Sequence, residues 1–228
     1  MLFINQNTIL CDIVEDNPNL IPVLARFGIR LGLGDKSVKQ ICNEYNINDD
    51  FFIVMVNTYM NEHYFPESKV KSFNINDILL YLERSNSYYL GAMLPNIESH
   101  LNAFINTSKN QNEKVESIIK LFENFKKRLS AQIDEDSYFF PQFRLIASKE
   151  SEMASFDINS YKEDNEDFVM LLHEIKHIMT KYLKGAFNDN LCHAVLFSLH
   201  SLEKDMVQNL RIRSRILFPV VSNFRLVK

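Results

Sequence analysis

From Asp77 onward, apolar residues recur at every third or fourth position, the spacing that lines one face of an α-helix. Leu79, Leu82, Asn86, Tyr89, Leu90, Met93, Ile97, Leu101 and Phe104 form one such stripe. Ile118, Phe122, Phe125 and Leu129 form a second; Phe168, Leu172, Ile175, Met179 and Tyr182 a third; Leu191, Val195, Leu199, Leu202 and Met206 a fourth. The pattern predicts helices over 77–105, 113–147, 163–184 and 188–218, and four such helices with short connections make a bundle. Upstream, residues 8–60 read as shorter helices broken by punctuation. Asp16-Asn17-Pro18 opens one, Gly28, Gly32 and Gly34 close it, and Asp35-Lys-Ser-Val-Lys-Gln-Ile-Cys42 starts the next. The expected architecture is all-α. It has a small helical module over 1–62, a linker over 63–76 that contains His63-Tyr-Phe-Pro66, and a bundle over 77–228.

Composition agrees with this reading. The chain has 228 residues, 46% of them hydrophobic, with only 5 Gly and 6 Pro, and strand-type alternation is scarce. A net charge of -4, with Lys and Arg thinly spread, leaves no electrostatic footprint for nucleic acid. No apolar stretch approaches the length of a membrane span, and the apolar run at the N-terminus stops at Asp12 without a basic flank. A cytoplasmic protein is therefore expected. Cys11, Cys42 and Cys192 are widely separated and lack CxxC spacing, which points to reduced thiols rather than a disulfide framework or a thiolate metal site.

Two stretches carry a resemblance to a known family. Asp12-Ile-Val-Glu-Asp-Asn-Pro18 through Val23-Leu-Ala-Arg-Phe-Gly-Ile29 resembles the small N-terminal domain of hemerythrin-like iron-sulfur cluster repair proteins. The bundle resembles the same family, in which two helices carry His-x-x-x-Glu a short distance before Leu-Phe-Pro. Phe139-Phe-Pro141 and Leu217-Phe-Pro219 hold those places here. The resemblance implies a hemerythrin-like four-helix bundle built around a di-iron centre, which needs His and carboxylate donors converging from facing helices.

Residue by residue, the implied ligands are missing. Ten and six residues before Pro141 stand Ala131 and Glu135, and ten and six before Pro219 stand Asn209 and Arg213. Asn86, ahead of Tyr88-Tyr89-Leu90, takes the place of the first helix's His. In the third helix the register Leu172-His-Glu-Ile-Lys176 up to Tyr182 puts Asn165 at the ligand position. The family's Cys-Cys pair after Phe-Gly-Ile is replaced by Arg30-Leu31-Gly32-Leu33-Gly34. Alanine has no donor, a neutral amide is a poor iron ligand, and arginine would place a cation where the metal belongs. No cofactor is expected. With iron absent, a guanidinium at 213 is expected to pair with Glu135, and Asn86, Asn165 and Asn209 to supply the remaining hydrogen bonds.

Other motifs give competing readings. His173-Glu174-Ile175-Lys176-His177 matches His-Glu-x-x-His literally, the pattern of zinc proteases, but Lys176 is a charge where those enzymes carry an uncharged residue. His193 and His200 lie two helical turns apart and reach one ion only with help from another helix. Arg211, Arg213 and Arg215, spaced by two, point to different faces, so a phosphate site is a weak reading. The resulting expectation is a non-catalytic scaffold that binds a protein partner or regulates a stress response, with no nucleic-acid or membrane partner. The alternative is an iron-binding repair protein with shifted ligands drawn from Glu135, His100, His173 and His177.

Overall fold

The computed structural model describes residues 3–64, 67–70, 72–107, 113–148, 161 and 166–223. Among these the chain is all-α, and its only β-type pairing is an isolated antiparallel bridge between Ile9 and Ser37. Two compact units are present, Met1–Arg84 with Gln208–Lys228, and Ser85–Val207.

The first unit starts with α1 (Leu10–Asp16), a 3₁₀ turn at Pro18–Leu20 and α2 (Ile21–Arg26). Proline at the start of each of the latter two costs nothing, because the first N–H groups of a helix have no internal acceptor. Gly28, at φ +80°, ends α2. Its N–H reaches the Ala25 carbonyl and that of Ile29 reaches Leu24, a Schellman closure in which buried Ile29 folds back on buried Leu24. α3 (Val38–Glu44) opens with a capping box between Ser37 and Gln40. It closes at Asn46, φ +54°, with Ile47 N–H on the Cys42 carbonyl.

Asn48 caps α4 (Asp49–Met60), whose Phe52, Val54, Met55 and Val56 are fully buried. Asn57 on the same helix both accepts from Ile4 N–H (2.9 Å) and donates to its carbonyl (3.1 Å), tying down the N-terminal strand of chain. After the short α5 (Glu67–Val70) comes α6 (Ile75–Tyr88). The Phe27 ring meets Phe52 at 4.9 Å and Tyr81 at 5.2 Å.

The second unit continues from the end of α6 through a π turn at Tyr89–Met93, α7 (Leu94–Thr107), α8 (Glu113–Ser148), α9 (Glu166–Lys181) and α10 (Asp189–Ile212) as far as Val207. A second π turn, Arg213–Leu217, and α11 (Phe218–Asn223) belong to the first unit. α8 and α9 pack along each other, and Phe125 meets both Phe122 and Phe168. The stripes read from the sequence are buried except at Leu191, which is half-buried, and at two exposed positions. Leu90 is 43% exposed, because the π turn carries an extra residue that rotates it outward while Tyr89 and Met93 stay inside. Tyr182 is exposed because α9 ends one residue earlier, at Lys181. No helix among the described residues is long and apolar enough to cross a membrane.

Candidate functional site

One cluster of buried polar residues inside the second unit centres on Asp136, only 1% exposed. Its Oδ2 accepts from Asn86 Nδ2 at 2.7 Å. Its Oδ1 accepts from the Tyr161 hydroxyl at 2.5 Å and from Gln132 Nε2 at 3.2 Å. The Tyr161 ring stands edge-on to Phe139 and Phe143, with centroids at 5.0 and 5.4 Å. α8 supplies Gln132, Asp136, Phe139 and Phe143 at spacings of three and four, so one helical face carries most of the site.

This placement corrects the register on α8. Ala131 is exposed and Glu135 half-buried, while the inward pair one position on is Gln132 and Asp136. Counting back from Pro141 gives the wrong frame. Extending the stripe Ile118, Phe122, Phe125, Leu129 forward arrives at 132, 136, 140 and 143, all buried. Asn86, Asn209 and Arg213 are buried, at 7%, 5% and 4% exposure. Arg213 Nε donates to Asn209 Oδ1 at 2.9 Å, so the structure brings these two together. Glu135 and Arg213 belong to different units, and their pairing stays an expectation. Asn165 lies outside the described residues.

The His-Glu-x-x-His motif is turned inside out. His173 and His177 are exposed, and the buried member is Lys176, which donates to Glu203 and, at 3.2 Å, to His200 Nδ1. His173 Nδ1 stands 3.8 Å from Glu203, and His177 packs its ring on Tyr182. His193 and His200 are exposed; His100 is half-buried, with no hydrogen-bond partner at Nδ1. Among the described residues, no three His, Cys, Asp or Glu side chains gather as a metal site requires.

Arg211 and Arg215 are spent on backbone. They donate to the carbonyls of Asn61 (2.7 Å) and Glu62 (2.8 Å) respectively, and burial, then the Arg215 charge, lowers the Arg211 pKa. The three thiols are free. Burial pushes Cys42 up to about 12 and raises Cys192 as well, whereas Cys11 is raised chiefly by its hydrogen bond to Asp12.

The residues around Asp136 do not fit a di-iron centre. Of the four described residues bonded here one is a carboxylate, and Asn86, Gln132 and Tyr161 aim their N–H and O–H groups at it, whereas metal ligation needs lone pairs aimed at the ion. The arrangement can orient a buried carboxylate and present it to a hydrogen-bond donor. Sequence reasoning missed Gln132, Asp136 and Tyr161. The first two are recoverable from the α8 stripe; Tyr161, in a stretch that also holds Phe156 among polar and charged residues, gives no periodic signal. No protein-family model matches the chain, and no curated protein or solved structure is significantly similar to it.

Proposed function

We propose that this protein is a hemerythrin-like scaffold without its iron, acting by binding a protein partner in a regulatory or stress-response role rather than by catalysis. On this reading the helical runs from Ile75 to Ile212 are a four-helix bundle of the hemerythrin type, and Asp136 with its neutral donors replaces the metal as the polar centre. The observation that carries it is the hydrogen bonding of Asp136: a buried carboxylate already holding three donors has most of its roughly four acceptor sites committed. The resemblance of residues 12–29, and of the chain around Pro141 and Pro219, supplies the family. The apolar stripes are kept while donors are lost, which favours a retained fold over retained chemistry. The test is metal analysis of protein purified with ferrous iron supplied throughout. A colourless protein without stoichiometric iron is expected; two irons per chain with an oxo-bridge absorption band would overturn the reading.

A further inference from the structure

Tyr161 stands in the sequence between α8, which ends at Ser148, and α9, which begins at Glu166. The sequence around it, residues 149–165, carries seven charged residues, with Met153, Phe156 and Ile158 among them. Yet Tyr161 is only 3% exposed. The residues it meets belong to another element. Asp136, Phe139 and Phe143 lie on one face of α8, and Asn86 and Gln132 hold the carboxylate in orientation through bonds that do not involve Tyr161. Two aromatic rings standing steeply to the tyrosine ring, closed by one oriented acceptor, form the apolar wall and single polar anchor of a small-ligand site.

We propose that Asp136, Phe139 and Phe143 form a phenol-recognition site whose resident ligand is the chain's own Tyr161, so that a free phenol or the tyrosine of a peptide competes for it. The carboxylate selects a hydroxyl over a bare ring, because a ring without a donor leaves the buried oxygen short of a hydrogen bond. Belonging to the same chain gives Tyr161 an advantage over any free competitor, since its binding is intramolecular. The proposal rests on Asp136 being free of metal. Iron analysis tests that premise and phenol binding tests this site, so the two fail separately.

The experiment titrates full-length Tyr161→Ala with p-cresol by calorimetry and thermal melting. One p-cresol per chain and a raised melting midpoint are expected, with no shift from toluene. Wild type should bind p-cresol at least about tenfold more weakly, its own tyrosine competing. Asp136→Asn in the Tyr161→Ala background should also weaken p-cresol by about tenfold. N-acetyltyrosinamide as a second probe tells a peptide tyrosine from a small phenol, and binding of either supports the site. Where Tyr161→Ala does not fold alone, recovery of folded protein on refolding with p-cresol, and not with toluene, is the expected result. Binding of neither probe, equal effects of toluene and p-cresol, or no recovery with p-cresol would overturn the proposal.

Discussion

Replacing Asp136 by alanine removes the acceptor that three buried donors share. Asn86 Nδ2 at 2.7 Å and Tyr161 Oη at 2.5 Å are tightly bound, while Gln132 Nε2 at 3.2 Å is looser. A buried donor left unmet costs about 1–3 kcal/mol, so the three give an upper bound of roughly 9 kcal/mol. Water entering the space of the lost carboxylate, and rotation of the two amides, reduce that figure. We expect a loss of about 3–5 kcal/mol, the range found when one partner of a buried charged group is removed. Asp136→Asn is the informative control. Its amide oxygen can still serve Tyr161 and Gln132, and a turned-over Asn86 amide can present oxygen to the new NH₂. Only charge assistance is then lost, about 1–2 kcal/mol. For a chain of this length each kcal/mol moves the melting midpoint by about 2–4 °C. The alanine variant should therefore melt of the order of 10 °C low and the asparagine variant a few degrees low. The chain contains no Trp, so melting is followed by far-ultraviolet circular dichroism, with tyrosine fluorescence as a second probe. An alanine variant within about 1 kcal/mol of wild type, or an asparagine variant as unstable as alanine, would refute the reasoning.

Lys176→Met strands Glu203, whose side chain is 20% exposed, and should cost about 2–3 kcal/mol, while Lys176→Met with Glu203→Leu should recover most of it; urea melts of both check this. Native protein treated with iodoacetamide at pH 8 should be labelled at Cys11 before Cys42 or Cys192, which are buried. Because the Cys11 pKa is raised, its rate should still climb with pH beyond the ordinary thiol range, whereas Cys42, pushed up to about 12, should react only in denaturant; peptide mapping decides. Gly28→Ala forces a side chain into φ +80° and should lower stability by about 1–2 kcal/mol with the fold intact. His177→Ala should leave the zinc content of the purified protein unchanged, since its exposed ring packs on Tyr182; zinc bound by wild type and lost in the variant would contradict this.

The helices of this chain are legible because burial repeats with the helical period: Leu79, Leu82, Ile97 and Leu101 announce their face, and so do Leu172, Ile175 and Met179. The candidate site is legible only where a polar residue sits in phase with such a stripe. Asn86, Asn209 and Arg213 do, and all three are inside. Ala131 and Glu135 were placed by distance from a proline instead of by phase, and one residue of error turns an inward pair outward. Lys176 is hidden for another reason. Its ammonium meets Glu203 and His200 from α10, 27 and 24 positions away, and no local pattern encodes such a partner. Tyr161 is hidden likewise, because an aromatic that crosses from a connection into a core has no period to follow.

The π turn at Tyr89–Met93 makes this stretch of helix unusually forgiving of a change in length. Elsewhere in a helix, losing one residue swings everything beyond it by about 100° and drags a buried face into water. Here the surplus residue is already present, looped out among exposed Leu90, Gly91 and Ala92. A one-residue deletion among these three would let the turn relax to ordinary α geometry, with Asn86 still facing inward on one side and Leu94, Ile97 and Leu101 still facing inward on the other. Across evolutionary time this is the place where related chains can gain or lose a residue inside a helix without re-aiming either the polar centre or the core.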